Sequence, residues 1–193
     1  MTRRPALGLI LLLCACSARG REAAMDEVKD TKEYYPVLGS SARDLRWALD
    51  RLGPRNDEGG RSDAMTKWQF DYTFSLAERP MECRLGSLQT SAEITMILPR
   101  WEPGPDATGE LTKQWVDYVT CAELHENGHR RIYLDAIARF RRRADSLGGY
   151  RTCSQMEQAL ETLAQETLKS VRDDQSAYET RTDHGYLQCG HFP

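Results

Sequence analysis

From residue 110 to residue 146 apolar side chains recur at helical spacing, as Leu111, Trp115, Tyr118, Ala122, Ile132, Ala136 and Phe140. A helix of that length reaches roughly 55 Å at 1.5 Å per residue, so the remainder of a small domain has to pack along it. The stripe has a gap between Ala122 and Ile132, where the core-facing positions are His125 and His129. Residues four apart lie one above the other on a single helical face. Here that face points inward, where an uncompensated polar group costs several kcal/mol.

A divalent zinc ion would compensate two neutral imidazoles, binding their nitrogens at about 2.0–2.1 Å. Glu126 follows His125 and projects about 100° further around the helix. That places it beside such an ion rather than on it, where a general base acting on water belongs. His125-Glu126-Asn127-Gly128-His129 is the HExxH arrangement of zinc peptidases, on a zincin-like active-site helix. A catalytic zinc usually has a third protein ligand. The two other histidines are His184, in Tyr178-Glu179-Thr180-Arg181-Thr182-Asp183-His184-Gly185, and His191, two residues from the C-terminus. Chain ends are usually mobile, which favours His184. Tyr178, six residues before His184, is a candidate oxyanion stabiliser, with core packing as its ordinary role.

Six cysteines divide into two groups. Arg3 and Arg4 precede an apolar run over residues 6–15, the layout of a secretory signal and too short for a membrane-spanning helix. The run ends in Leu13-Cys14-Ala15-Cys16-Ser17, which resembles a bacterial lipobox with Cys16 as the lipidated residue. Ser17 rather than Asp behind that cysteine fits outer-membrane sorting in a Gram-negative source, facing the periplasm or the surface. The expected organisation is therefore a lipoprotein signal over residues 1–15, a lipidated flexible tether over 16–33, and one domain over 34–193. Loss of Arg3 and Arg4 moves the formal charge from −3 to −5. A mildly acidic chain without a basic stripe disfavours nucleic acid as a partner.

Cys83, Cys121, Cys153 and Cys189 remain, and in an oxidising compartment they are expected to form two disulfides, with three connectivities open. Cys121 lies one helical turn before His125, and Cys189 five residues after His184. If His184 reaches a metal bound by His125, Cys121 and Cys189 are brought together, leaving Cys83 to pair with Cys153. The competing role for Cys121 is a zinc thiolate.

Elsewhere residues 34–38 read as a short strand, and Ser41-Ala42-Arg43-Asp44 as a capping box with Asp in place of Glu. A short helix follows through Leu45, Ala48, Leu49 and Leu52 and stops at Gly53-Pro54. Trp68, Phe70, Tyr72, Phe74 and Leu76 alternate with polar residues as a strand. A second long strand is expected over residues 84–98, ended by Pro99, and a second long helix over 154–179. The fold expected is α+β: a small antiparallel sheet of about three strands, one short helix and two long C-terminal helices.

The HENGHR block, Leu98-Pro99-Arg100-Trp101, Cys83-Arg84, and Tyr-(Asp/Glu)-x-x-Thr-x-His-Gly near the C-terminus resemble a bacterial family of domains of unknown function, often labelled predicted secreted zinc-dependent proteases. The resemblance runs over residues 34–185 and implies His125, His129 and His184 as zinc ligands and Glu126 as catalytic residue. The chain departs from the family pattern in carrying Glu179 where Asp is usual and in having Cys121 and Cys189. The expected function is a membrane-anchored zinc peptidase with a peptide or protein substrate, which the 88–98 strand would align. A structural zinc site in a non-catalytic lipoprotein and a zinc amidase acting on peptidoglycan peptides are the alternatives.

Overall fold

The computed structural model describes residues 27–56 and 59–192. The signal, Cys16 and the first part of the expected tether lie outside the described residues. The elements run β1 (Glu27–Val37), α1 (Ala42–Leu52), β2 (Met65–Arg79), β3 (Glu82–Trp101), α2 (Gly109–Asp145), α3 (Cys153–Thr182) and the single turn α4 (Tyr186–Cys189). This is the α+β arrangement read from the sequence, with two long helices following the sheet. No described helix is long and apolar enough to cross a membrane.

The sheet has the order β1-β3-β2 and is mixed rather than wholly antiparallel. β2 and β3 form the expected hairpin, from Met65 opposite Ile97 to Arg79 opposite Glu82. β1 runs parallel to β3, from Glu27 opposite Ser91 to Val37 opposite Trp101. β1 therefore starts seven residues before Tyr34 and takes residues 27–33 out of the expected tether. Those residues are mostly exposed, and main-chain pairing holds them in place of side-chain burial. Cross-strand pairs assist: Lys29 meets Glu93 at 3.0 Å and the Thr31 and Thr95 hydroxyls lie 3.1 Å apart. Polar, lysine-bearing edge strands of this kind resist pairing with other chains.

Pro99 does not end β3, which continues to Trp101. The β2 ladder stops at Ile97, so Pro99 lies where β3 is paired on one side only and its missing N–H is tolerated. From Ser91 to Ile97, β3 is hydrogen-bonded on both sides. Within the stretch expected to align a substrate, residues 88–98, positions 91–97 therefore have their main-chain groups engaged within the sheet.

The helices cover one face of the sheet. α1 begins with the Ser41–Asp44 capping box, and α3 with a second one, Thr152–Gln155. On α2 the inward positions after His129 are Tyr133 and Ile137, with Ile132 only half-buried. A 3.6-residue period carries the buried face on by three or four residues at a time, which selects Tyr133. One apolar cluster gathers Leu85, Leu88, Phe140, Met156 and Leu160. Another gathers Val37, Leu45, Trp101, Trp115 and Phe192 at the opposite end of α2. The C-terminus is accordingly docked: Phe192 is 2% exposed, edge-on to Trp115 at 5.3 Å. Disulfides join Cys83 to Cys153 and Cys121 to Cys189, with Cα atoms 5.0 and 5.4 Å apart.

Candidate metal centre

Midway along α2, between the two apolar ends, His125, Glu126 and His129 are all buried. One ligand atom from each lies within 4.8 Å of the others. The Nε2 atoms of the two imidazoles are 3.1 Å apart. On their far sides, His125 Nδ1 is 2.8 Å from Gln188 Oε1, and His129 Nδ1 bonds Gln175 Oε1. An amide oxygen only accepts, so each Nδ1 carries a proton and donates it. In a neutral ring that leaves the lone pair on Nε2. In that tautomer both lone pairs face one point, an arrangement suited to a cation between them.

Glu179, on the last turns of α3, adds a third acceptor. Its Oε1 is 2.9 Å from His129 Nε2 and its Oε2 is 3.8 Å from His125 Nε2. Oε2 is buried and has no hydrogen-bond partner. A four-coordinate zinc with nitrogens at 2.0–2.1 Å separates its ligand atoms by about 3.3 Å. The three observed separations bracket that value, so the donor set fits a divalent cation. Electrostatics point the same way. Burial lowers the pKa of both imidazoles, but Glu179 and the two glutamines outweigh it and hold them above the ordinary histidine value. Burial likewise raises the Glu179 carboxyl, and the two imidazoles outweigh it, holding the group far below the usual carboxylate range. The cluster attracts positive charge.

Glu126 is set apart from this convergence. Its Oε2 accepts a 2.7 Å hydrogen bond from Thr66 Oγ1 on β2, which also reaches the Glu126 carbonyl at 3.2 Å. Burial pushes its carboxyl up, against smaller opposing effects of His129 and Thr66. Thr66 was not singled out in the sequence. Carrying the Trp68–Phe70–Tyr72 alternation back by two residues would have placed it on the inward face.

Tyr178 stacks on His125 at 5.0 Å and stands edge-on to His129 at 4.9 Å. Its hydroxyl donates to the His125 carbonyl at 3.1 Å, so it is aimed at the main chain of α2 and not at a reacting carbonyl. The candidate oxyanion donor is in this structure a clamp on the histidine-bearing stretch of α2. Gly128 permits that approach, because a Cβ at this position would lie 2.1 Å from the Tyr178 hydroxyl oxygen.

His184 is not beside the imidazole pair. α3 ends at Thr182, and Asp183 and His184 both take left-handed backbone, φ 49° and 52°. The His184 side chain is 81% exposed, with Nδ1 3.2 Å from Glu179 Oε2. Its neighbour Gly185, at φ 83°, packs on the His125 ring, where a Cβ would come within 3.2 Å. His191 is exposed against Tyr186 and also lies away from the pair. Cys121 is engaged in its disulfide and so is not a thiolate ligand. That bridge instead anchors the turn that carries Gln188 to His125.

A cleft of about 590 Å³ opens over His125 and Glu126. On its far wall Arg46 holds Asp63 through two hydrogen bonds, of 2.8 and 2.5 Å. The Tyr118 hydroxyl bonds the same carboxylate, and Tyr35 donates to the Asp63 carbonyl at 2.7 Å. This network fixes the segment that leads into β2 and Thr66.

A family described as a bacterial protein of unknown function (DUF922) matches residues 32–185, and the chain belongs to that family. No curated protein and no solved structure matches the chain.

Proposed function

We propose that this protein is an exported zinc-dependent hydrolase, and that its substrates are peptides or proteins. The observation that carries the reading is the convergence of two buried Nε2 atoms, 3.1 Å apart, beside a buried carboxylate, Glu126, that is not needed as a ligand. His125 and His129 would hold the ion, with a third atom from the segment that ends α3. A zinc ion held there would supply Lewis acidity to a substrate carbonyl and to water. Glu126 would take the proton of the attacking water. Its raised pKa suits a base that must accept a proton and then release it to the leaving amine. Thr66 fixes one carboxylate oxygen and leaves the other for transfer. Tyr178, Gln175 and Gln188 orient the imidazoles, and the cleft admits the substrate. The same residues would serve an amidase acting on peptidoglycan peptides. The lipobox-like segment around Cys16 supports anchoring in the cell envelope.

A purely structural zinc site has no use for a buried carboxylate beside the ligands, which favours the enzyme over a metal clip. Glu126→Gln decides between them. Zinc content should stay at the wild-type level while hydrolysis of casein or an unstructured peptide mixture falls at least about a hundredfold, the lower end of general-base catalysis. Retention of a zinc-dependent activity in that variant would remove Glu126 as the base. A wild type that hydrolyses neither peptide nor peptidoglycan panels, yet melts lower once zinc is removed, would establish the structural role.

A further inference from the structure

We infer that Glu179, not His184, supplies the third protein atom of the metal site, and that His184 is a positioning residue behind it. The inference rests on the metal reading above. Three observations carry it. Glu179 places one carboxylate oxygen 2.9 Å from His129 Nε2 and the other 3.8 Å from His125 Nε2, so both oxygens face the point where the imidazole lone pairs meet. Its Oε2 is buried without a hydrogen bond, with His184 Nδ1 at 3.2 Å on the outer side and His125 Nε2 at 3.8 Å on the inner side, so a cation on the inner side would give it the partner it lacks. His184, by contrast, is 81% exposed.

Local geometry explains why the carboxylate reaches the site and the imidazole does not. Gln175 and Glu179 are four residues apart on α3 and share one face. Gln175 bonds His129 Nδ1 while Glu179 stands at His129 Nε2, so a single helical face grips both nitrogens of the ring. His184 comes after the helix has ended, on the second of two left-handed residues. Gly185, the next residue, packs on the His125 ring, so the backbone after His184 is seated on the pair while the His184 ring faces outward. Where it stands, its Nδ1 faces Glu179 Oε2 at 3.2 Å and can orient the carboxylate from outside. A carboxylate also neutralises part of a buried divalent charge, which a third neutral imidazole would not.

The test is zinc affinity of the purified exported domain by competition with a chromogenic chelator, together with the visible spectrum of the cobalt(II)-loaded protein. Glu179→Gln, matched in size, should lose more than about a hundredfold in affinity, beyond the 10–100-fold range of supporting partners, and should change the cobalt bands. Glu179→Asp, which keeps the carboxylate, should restore part of the affinity. His184→Ala should cost less than about a hundredfold, within the range of a supporting partner, and leave the cobalt spectrum superimposable. A His184→Ala loss beyond a hundredfold, with Glu179→Gln close to wild type, overturns the assignment while leaving the metal site standing. His125→Ala is the control for the site itself. A wild type that binds neither zinc nor cobalt overturns both.

Discussion

α3 lies against the C-terminal half of α2, but the two ends of that contact are built on opposite principles. At one end Phe140, Ala144, Met156 and Leu160 are fully buried against β3 and the hairpin, and Cys83–Cys153 closes the cluster. At the other end the same two helices face each other through His125, His129, Tyr178 and Glu179, closed by Cys121–Cys189. Apolar packing is non-directional and tolerates adjustment, so the first end can be held by burial alone. The second has little apolar surface to bury. Its groups are held instead by directional bonds, a close glycine contact and a covalent bridge, each of which sets one coordinate of the site. Apolar burial and the geometry of the candidate site are thereby separated along one helix pair.

The strongest way to break that separation is to remove each bridge in turn. The bridges close loops of similar length, 70 and 68 residues, so chain entropy gives both the same stabilisation, about 4 kcal/mol, with 2–4 kcal/mol typically measured. Cys83→Ala with Cys153→Ala should lower stability by that amount in denaturant titration and leave zinc affinity unchanged. Cys121→Ala with Cys189→Ala should cost similar stability and also weaken zinc at least about tenfold, because Gln188 is no longer held on His125. Equal zinc affinity in the two double variants would show that the bridges do not divide structure from function.

Gly128→Ala sharpens the comparison on a smaller scale. In an exposed helix interior the change would stabilise by up to about 1 kcal/mol. Here the new methyl meets the Tyr178 ring, and overpacking of this kind costs about 1–3 kcal/mol. The variant should melt below wild type, and its zinc affinity should fall as Tyr178 leaves the two imidazoles. A variant that melts above wild type would mean that the tyrosine clamp is dispensable. The smallest effect is expected at Arg143–Glu166, a 2.6 Å pair joining α2 to α3 beside the apolar end, with both side chains more than half exposed. A double-mutant cycle there should give about 0.2–1 kcal/mol in low salt and less in high salt.

The features legible in the sequence are those whose cause is local. The buried stripe of α2, the histidines four apart within it and the Ser41–Asp44 cap follow from 3.6-residue periodicity and from bonds reaching three or four residues. The alternation of Trp68, Phe70 and Tyr72 marked β2 for the same kind of reason. Features set by distant partners were not legible. Residues 27–33 carry no alternation that would announce a strand, and become one because the free edge of β3 supplies main-chain partners. Pro99 looks like a strand end, and is tolerated because β2 stops two residues earlier, at Ile97. Thr66 meets Glu126 across sixty residues of chain, and Tyr178 fits only because position 128 lacks a side chain. His184 and Glu179 are close in sequence and equally capable of binding a metal. Two left-handed residues at the end of α3 turn the imidazole outward and leave the carboxylate facing in, a choice of backbone angle that residue identity does not encode and packing against His125 enforces.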